Sequence, residues 1–139
     1  MERRLTVVIR QDATPAAKTV LVCEDDSNLR TLIRLALGDG YEIHEAANGN
    51  DALEILERAK PDLIVLDLML PGRSGLDLLT EIRATDGHVH TPVVVISAWA
   101  HSDQAAVAAG ADRFVAKPFD PEELHATVAT LLEDNGSSG

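Results

Sequence analysis

The chain has 139 residues, 45% of them apolar and only 3% aromatic, which suits one globular domain with an aliphatic interior. Its 12 Lys and Arg against 23 Asp and Glu leave a net charge of −11, so the field of the molecule repels nucleic acid and anionic membranes. No stretch reaches the ~20 apolar residues of a membrane helix, the first residues lack the apolar core of a signal peptide, and Cys23 has no partner thiol. Together these features predict a cytoplasmic protein in a reducing compartment, with no direct nucleic-acid or membrane contact.

Residues 1–18 read as an extension outside the core, in which Leu5-Thr6-Val7-Val8-Ile9 is either an arm or an extra strand. From there short apolar runs alternate with longer amphipathic stretches, the pattern of repeated β-α units around a parallel sheet. The first strand is Thr19–Cys23, followed by Glu24-Asp25-Asp26 and a helix whose apolar stripe is Leu29, Leu32, Ile33, Ala36 and Leu37. Asp26 or Ser27 caps that helix, and Gly38 or Gly40 ends it. Tyr41–Ala46 alternates apolar and polar residues, which puts this strand at an edge of the sheet.

A second helix carries Ala52, Leu53, Ile55, Leu56 and Ala59, and leads into the strand Leu63–Leu66, which ends at Asp67. Ser74, three residues before Asp77, caps a third helix bearing Leu78, Leu79 and Ile82. The strand Val93–Ile96 ends at Ser97, and a short alanine-rich helix spans about Asp103 to Ala109. Arg113–Ala116 is the fifth strand and ends at Lys117. Asp120-Pro121-Glu122-Glu123 supplies a cap, a proline at the first helical position and acidic residues in the first turn of a last helix, which runs to about Leu132. Continuously apolar runs mark the first, third and fourth strands as central, covered on both faces. Residues 134–139 are rich in Gly and Ser and read as a flexible tail, leaving residues 19–133 as the domain.

In an open parallel sheet the functional crevice lies beyond the carboxyl ends of the strands. Those ends carry Glu24-Asp25-Asp26, Asp67, Ser97 and Lys117. Several carboxylates at one rim suit Mg²⁺, a hard cation that takes one or two carboxylates plus phosphate oxygens and water. Beside it one carboxylate can act as a nucleophile on phosphorus, while the ammonium and the hydroxyl meet the charge on the phosphoryl oxygens. Each residue also has a bland reading as a helix cap, a turn residue or a solvated lysine, but agreement at all four strand ends favours chemistry. The five histidines are scattered, and His88-Val89-His90 lacks the further ligands of a zinc site. No glycine-rich nucleotide loop occurs.

Val20-Leu21-Val22-Cys23-Glu24-Asp25-Asp26, Leu66-Asp67-Leu68-Met69-Leu70-Pro71-Gly72, Ile96-Ser97-Ala98 and Lys117-Pro118-Phe119, in that order, resemble the receiver domain of bacterial two-component response regulators, over about residues 18 to 133. The resemblance implies a doubly wound, flavodoxin-like α/β fold with a five-stranded parallel sheet in the order 2-1-3-4-5. It implies a phosphoacceptor protein, either a stand-alone single-domain regulator or a fragment of something longer, that takes a phosphoryl group from a sensor histidine kinase or a histidine phosphotransfer protein and signals to a downstream protein. By the same resemblance Asp67 is the phosphoacceptor, while Glu24, Asp25, Asp67 and the main-chain carbonyl of Met69 hold Mg²⁺. Ser97 and Lys117 meet the phosphoryl group, Phe114 occupies the position of an aromatic switch, and Lys117-Pro118 is a cis peptide. Met69 and Trp99, two residues after Asp67 and Ser97, are candidates for tuning the lifetime of the phosphorylated state. The interval from Ser97 to Lys117 is slightly shorter than the family pattern, at the expense of the fourth helix.

Two other functions fit parts of this pattern. An aspartate-nucleophile phosphatase, a true turnover enzyme, uses a similar rim, but places a second acid two residues after the nucleophile, where this chain has Met69. A degenerate receiver acting only as an interaction module would not need the intact acids, Ser97 and Lys117. The expectation is therefore a switch rather than a turnover enzyme.

Overall fold

The structure is a computed structural model, and it describes residues 17–98 and 102–138. Five parallel strands, β1 (Lys18–Cys23), β2 (Tyr41–Ala46), β3 (Leu63–Asp67), β4 (Val93–Ser97) and β5 (Arg113–Ala116), lie in the order β2-β1-β3-β4-β5. Five helices alternate with them: α1 (Ser27–Leu37), α2 (Gly49–Ala59), α3 (Gly75–Ala84), α4 (Ser102–Ala109) and α5 (Pro121–Ser138). This is the doubly wound order that the family resemblance implies, with β1, β3 and β4 inside and β2 at an edge as their apolar patterns indicate.

Alternate residues of each central strand feed two separate cores. Leu21, Ile64, Leu66, Val93 and Val95 pack under α2 and α3 with Ile55, Leu56, Leu78 and Ile82. Val20, Val22, Val65, Val94 and Ile96 pack under α1 and α5 with Ile33, Leu37, Leu124 and Val128. Every residue of β3 and β4 is buried, because helices cover both faces. Truncating a fully enclosed residue such as Ile33 or Leu78 to Ala costs roughly 2–5 kcal/mol. Among the described residues no helix is long and apolar enough to cross a membrane.

Caps set the helix starts. Asp26 accepts from the amides of Asn28 and Leu29, so it is the cap of α1, whereas Ser27 is already the first helical residue. Ser74 accepts from Asp77 N and Asp120 from Glu122 N, as their spacing predicts. Gly38 ends α1 at a φ of 82°, a left-handed conformation that favours glycine. Two boundaries differ from the sequence reading. Lys18, assigned to the extension, already pairs with Tyr41 in β1. Residues 134–138, set apart as a tail by composition, continue α5, since a helix can outrun the apolar stripe that docks it. Residues 1–16 and Gly139 lie outside the described residues.

Candidate phosphoryl and metal site

The strand register brings the predicted residues to one rim. Cys23 pairs with Leu66 and Asp67 with Ile96, so Glu24, next after Cys23, emerges beside Asp67. Ser97 pairs with Ala116, and Lys117 follows immediately. The long lysine stem then lets its ammonium reach back across the rim.

Carboxylate oxygens of Glu24, Asp25 and Asp67 lie within 4.8 Å of one another. Glu24 and Asp67 are only 1% and 2% exposed, while Asp25 faces solvent. Lys117 Nζ donates to Asp67 Oδ2 at 2.7 Å and to Glu24 Oε1 at 3.1 Å. Three acids therefore face one ammonium, a node left acidic when all are ionised. Burial, followed by the contact with the Asp67 carboxylate, pushes the Glu24 carboxyl up to about 7 from its ordinary 4.5. Burial also opposes the charge on Lys117, but its bonds to Asp67 and Glu24 outweigh this and raise its pKa. Hard oxygen donors in excess of the local positive charge are what a small divalent cation requires, so the donor set fits Mg²⁺.

The loop after β3 is pinned to the site. Met69 N donates to Asp67 Oδ1 at 2.9 Å, and the Met69 side chain is half exposed. Gly75 N donates to Leu68 O at 3.1 Å, and a Cβ at Gly75 would stand 2.4 Å from Leu68 Cα, so only glycine allows α3 to start this close to the loop. Ser97 is fully buried at the end of β4, and its carbonyl accepts from Lys117 N at 2.9 Å. The Lys117-Pro118 bond is cis. Phe114 is half-buried and packs against the α2/α3 core. Trp99 lies outside the described residues.

Sequence reasoning missed one supporting residue. Arg30, on α1, donates through Nη1 to the main-chain oxygen of Glu24 at 2.7 Å and through Nε to Glu45 at 2.8 Å. It thereby fixes the acidic turn against β2, and nothing in local periodicity distinguishes it from a solvated arginine. The amide of Asp26 adds a further bond to Glu24 Oε2 at 3.1 Å.

An open parallel sheet with an acid cluster and one lysine at its carboxyl edge defines a class, and the sequence comparisons agree with it. The family model for the response regulator receiver domain matches residues 20–129, and the chain belongs to that family. Among curated relatives, the phosphate regulon transcriptional regulatory protein PhoB of Pseudomonas aeruginosa is 37% identical over 122 residues, covering 86% of this chain and 53% of that protein. The DNA-binding response regulator MtrA of Mycobacterium tuberculosis is 35% identical over 119 residues, covering 84% of this chain and 51% of that protein. The chain thus spans about half the length of these relatives. Among solved structures, a putative response regulator from Chloroflexus aurantiacus superposes with a TM-score of 0.81 at 32% identity, covering 85% of this chain and 99% of that one. The chemotaxis response regulator CheY4 of Vibrio cholerae gives 0.77 at 29%, covering 83% and 98%.

Proposed function

We propose that this receiver domain is a phosphoacceptor switch in which Asp67 takes a phosphoryl group from a phosphohistidine of a sensor kinase or histidine phosphotransfer protein. The observation that carries this reading is the buried Asp67 carboxylate, with Lys117 Nζ 2.7 Å away and two further acids within 4.8 Å. Membership of the response regulator family supports a histidine kinase as the partner.

In the transfer, an oxygen of Asp67 forms the new O–P bond. The P–N bond to the donor imidazole breaks, its electron pair stays on the ring nitrogen, and that nitrogen takes up a proton. Glu24, Asp25, Asp67 and the Met69 carbonyl would hold Mg²⁺, which neutralises phosphoryl oxygens when bound. Lys117 already sits on Asp67, so it follows the charge from the carboxylate to the phosphoryl group without leaving the rim. Met69 N–H holds Asp67 Oδ1 and so orients the attacking carboxylate. Ser97 supplies a hydroxyl to the phosphoryl group, and Phe114 responds to its displacement. The acyl phosphate carries roughly −1.5 to −2 charges where the carboxylate carried −1, and it places them further out on three oxygens, which biases the surrounding loops toward the signalling state.

The protein acts once per phosphoryl group and is not a turnover enzyme, because Met69 stands where an aspartate phosphatase carries its leaving-group acid. It works in the cytoplasm through protein contacts. Its net charge of −11 disfavours direct nucleic-acid binding by this chain, whatever a longer protein containing it does. Incubation with acetyl phosphate and Mg²⁺ followed by intact-mass measurement tests the reading. One added phosphoryl per chain is expected; continuous release of phosphate would make the protein a phosphatase, and no mass change a binding module.

A further inference from the structure

At the opposite end of the sheet from the acidic rim lies an open groove of about 890 Å³, between the loops that enter β3 and β4. Its lining presents the half-exposed Val89 above the buried Leu56 and Pro61, and sets the carboxylates of Glu57, Asp62 and Asp86 against Lys60, with His88 and His90 beside them. A groove of that size is in the range of ordinary ligand pockets. Its chemistry asks for a short segment that is both apolar and cationic.

The start of β1 lies at this groove. Thr19 N donates to Asp62 Oδ2 at 2.8 Å, and Asp62 N donates to Thr19 O at 2.7 Å, so the chain enters β1 alongside a lining residue. The sequence just before is Arg3-Arg4-Leu5-Thr6-Val7-Val8-Ile9-Arg10, which holds three arginines and no acid in a chain of net charge −11. Along an extended path Leu5, Val7 and Ile9 fall on one side. The eight-residue step from Arg10 to Lys18 spans up to roughly 25 Å, ample to fold back onto a groove that begins beside Thr19. We propose that this groove is the docking site of the chain's own residues 3–10, with the arginines facing Glu57 and Asp86 and the aliphatic residues covering Val89.

Charge reversal on the 139-residue chain tests this by amide hydrogen exchange. In Arg3→Glu/Arg4→Glu/Arg10→Glu, amides of residues 57–62 and 86–91 should exchange about fivefold faster than in the parent, as expected for loss of a few exposed ion pairs and the cover they hold. Adding Glu57→Arg and Asp86→Arg to the same chain should restore slow exchange, because the signs are then swapped on both sides. Protection in the parent should not change with protein concentration. Unchanged exchange in the triple variant, failure of the swapped chain to recover, or protection that grows with concentration would overturn the proposal, the last in favour of a second copy as occupant. The readout needs no phosphoryl transfer, so it stands or falls separately from the function proposed for Asp67.

Discussion

The two ends of the sheet handle clustered charge in opposite ways. At the amino end, Arg83 of α3 donates to Gly110 O, His88 O, Thr91 O and Asp112 Oδ2 at 2.5–3.2 Å, and Asp112 in turn accepts from Val93 N. Each donor meets an acceptor, and the node ties α3 to the segments that enter β4 and β5. At the carboxyl end, Glu24, Asp25 and Asp67 crowd together, and among the described residues the ammonium of Lys117 bonds Glu24 and Asp67. A matched node is explained by stability alone, whereas crowded like charges cost stability and point to a ligand that completes them.

The largest effect is expected at Arg83. Arg83→Met should lower stability by about 1–3 kcal/mol, because three part-buried carbonyls lose a charged donor, and Mg²⁺ should recover none of it. Urea denaturation with and without the metal measures both. Lys117→Ala should cost roughly 1–3 kcal/mol in the metal-free protein by leaving Glu24 and Asp67 unpaired. Here Mg²⁺ should recover most of the loss; a deficit indifferent to metal would make Lys117 scaffold of the Arg83 kind.

Titration separates the ends by sign. Between about 4.5 and about 7 the folded protein keeps a proton on Glu24 that the unfolded chain has released, so metal-free stability falls as pH rises through this window and levels above it. Glu24→Gln should flatten that slope, and so should Mg²⁺, which favours the carboxylate. His88 runs the other way. Burial holds it below its ordinary 6.5, so its contribution is lost as pH falls below that value. Melting temperatures of the parent and Glu24→Gln across pH 4–8 check both signs. The smallest effect is expected at the half-exposed Met69: Met69→Asn should change stability by less than about 0.5 kcal/mol while shortening the phosphorylated lifetime, read by the decay of the phosphorylated mass.

The fold was legible because burial writes itself into local pattern. Leu63-Ile64-Val65-Leu66 and Val93-Val94-Val95-Ile96 are apolar throughout since both faces are covered, and Tyr41–Ala46 alternates since β2 is an edge. The candidate site was legible because parallel topology delivers strand ends to one rim, so Glu24, Asp25, Asp67 and Lys117 needed only their positions after the strands. What escaped depends on reach across the chain. Arg30 finds Glu45, Gly75 lies against Leu68, and Arg83 gathers carbonyls from two later loops, none of which leaves a periodic trace. Asn48, which caps α2 by accepting from Asp51 N, and the continuation of α5 through Ser138 escaped for a different reason, since neither changes the apolar spacing.

If the crowded carboxylates serve phosphoryl transfer, Asp67 is the residue that becomes modified. The most direct test is to treat the parent and Asp67→Asn with acetyl phosphate and Mg²⁺, reduce the acyl phosphate with borohydride, and locate the product by peptide mass. The account predicts homoserine at position 67 in the parent, and a folded but unmodified Asp67→Asn, whose amide is nearly isosteric and a poor nucleophile. Undiminished phosphoryl uptake by Asp67→Asn, or homoserine at position 25 or 26 in the parent, would contradict it.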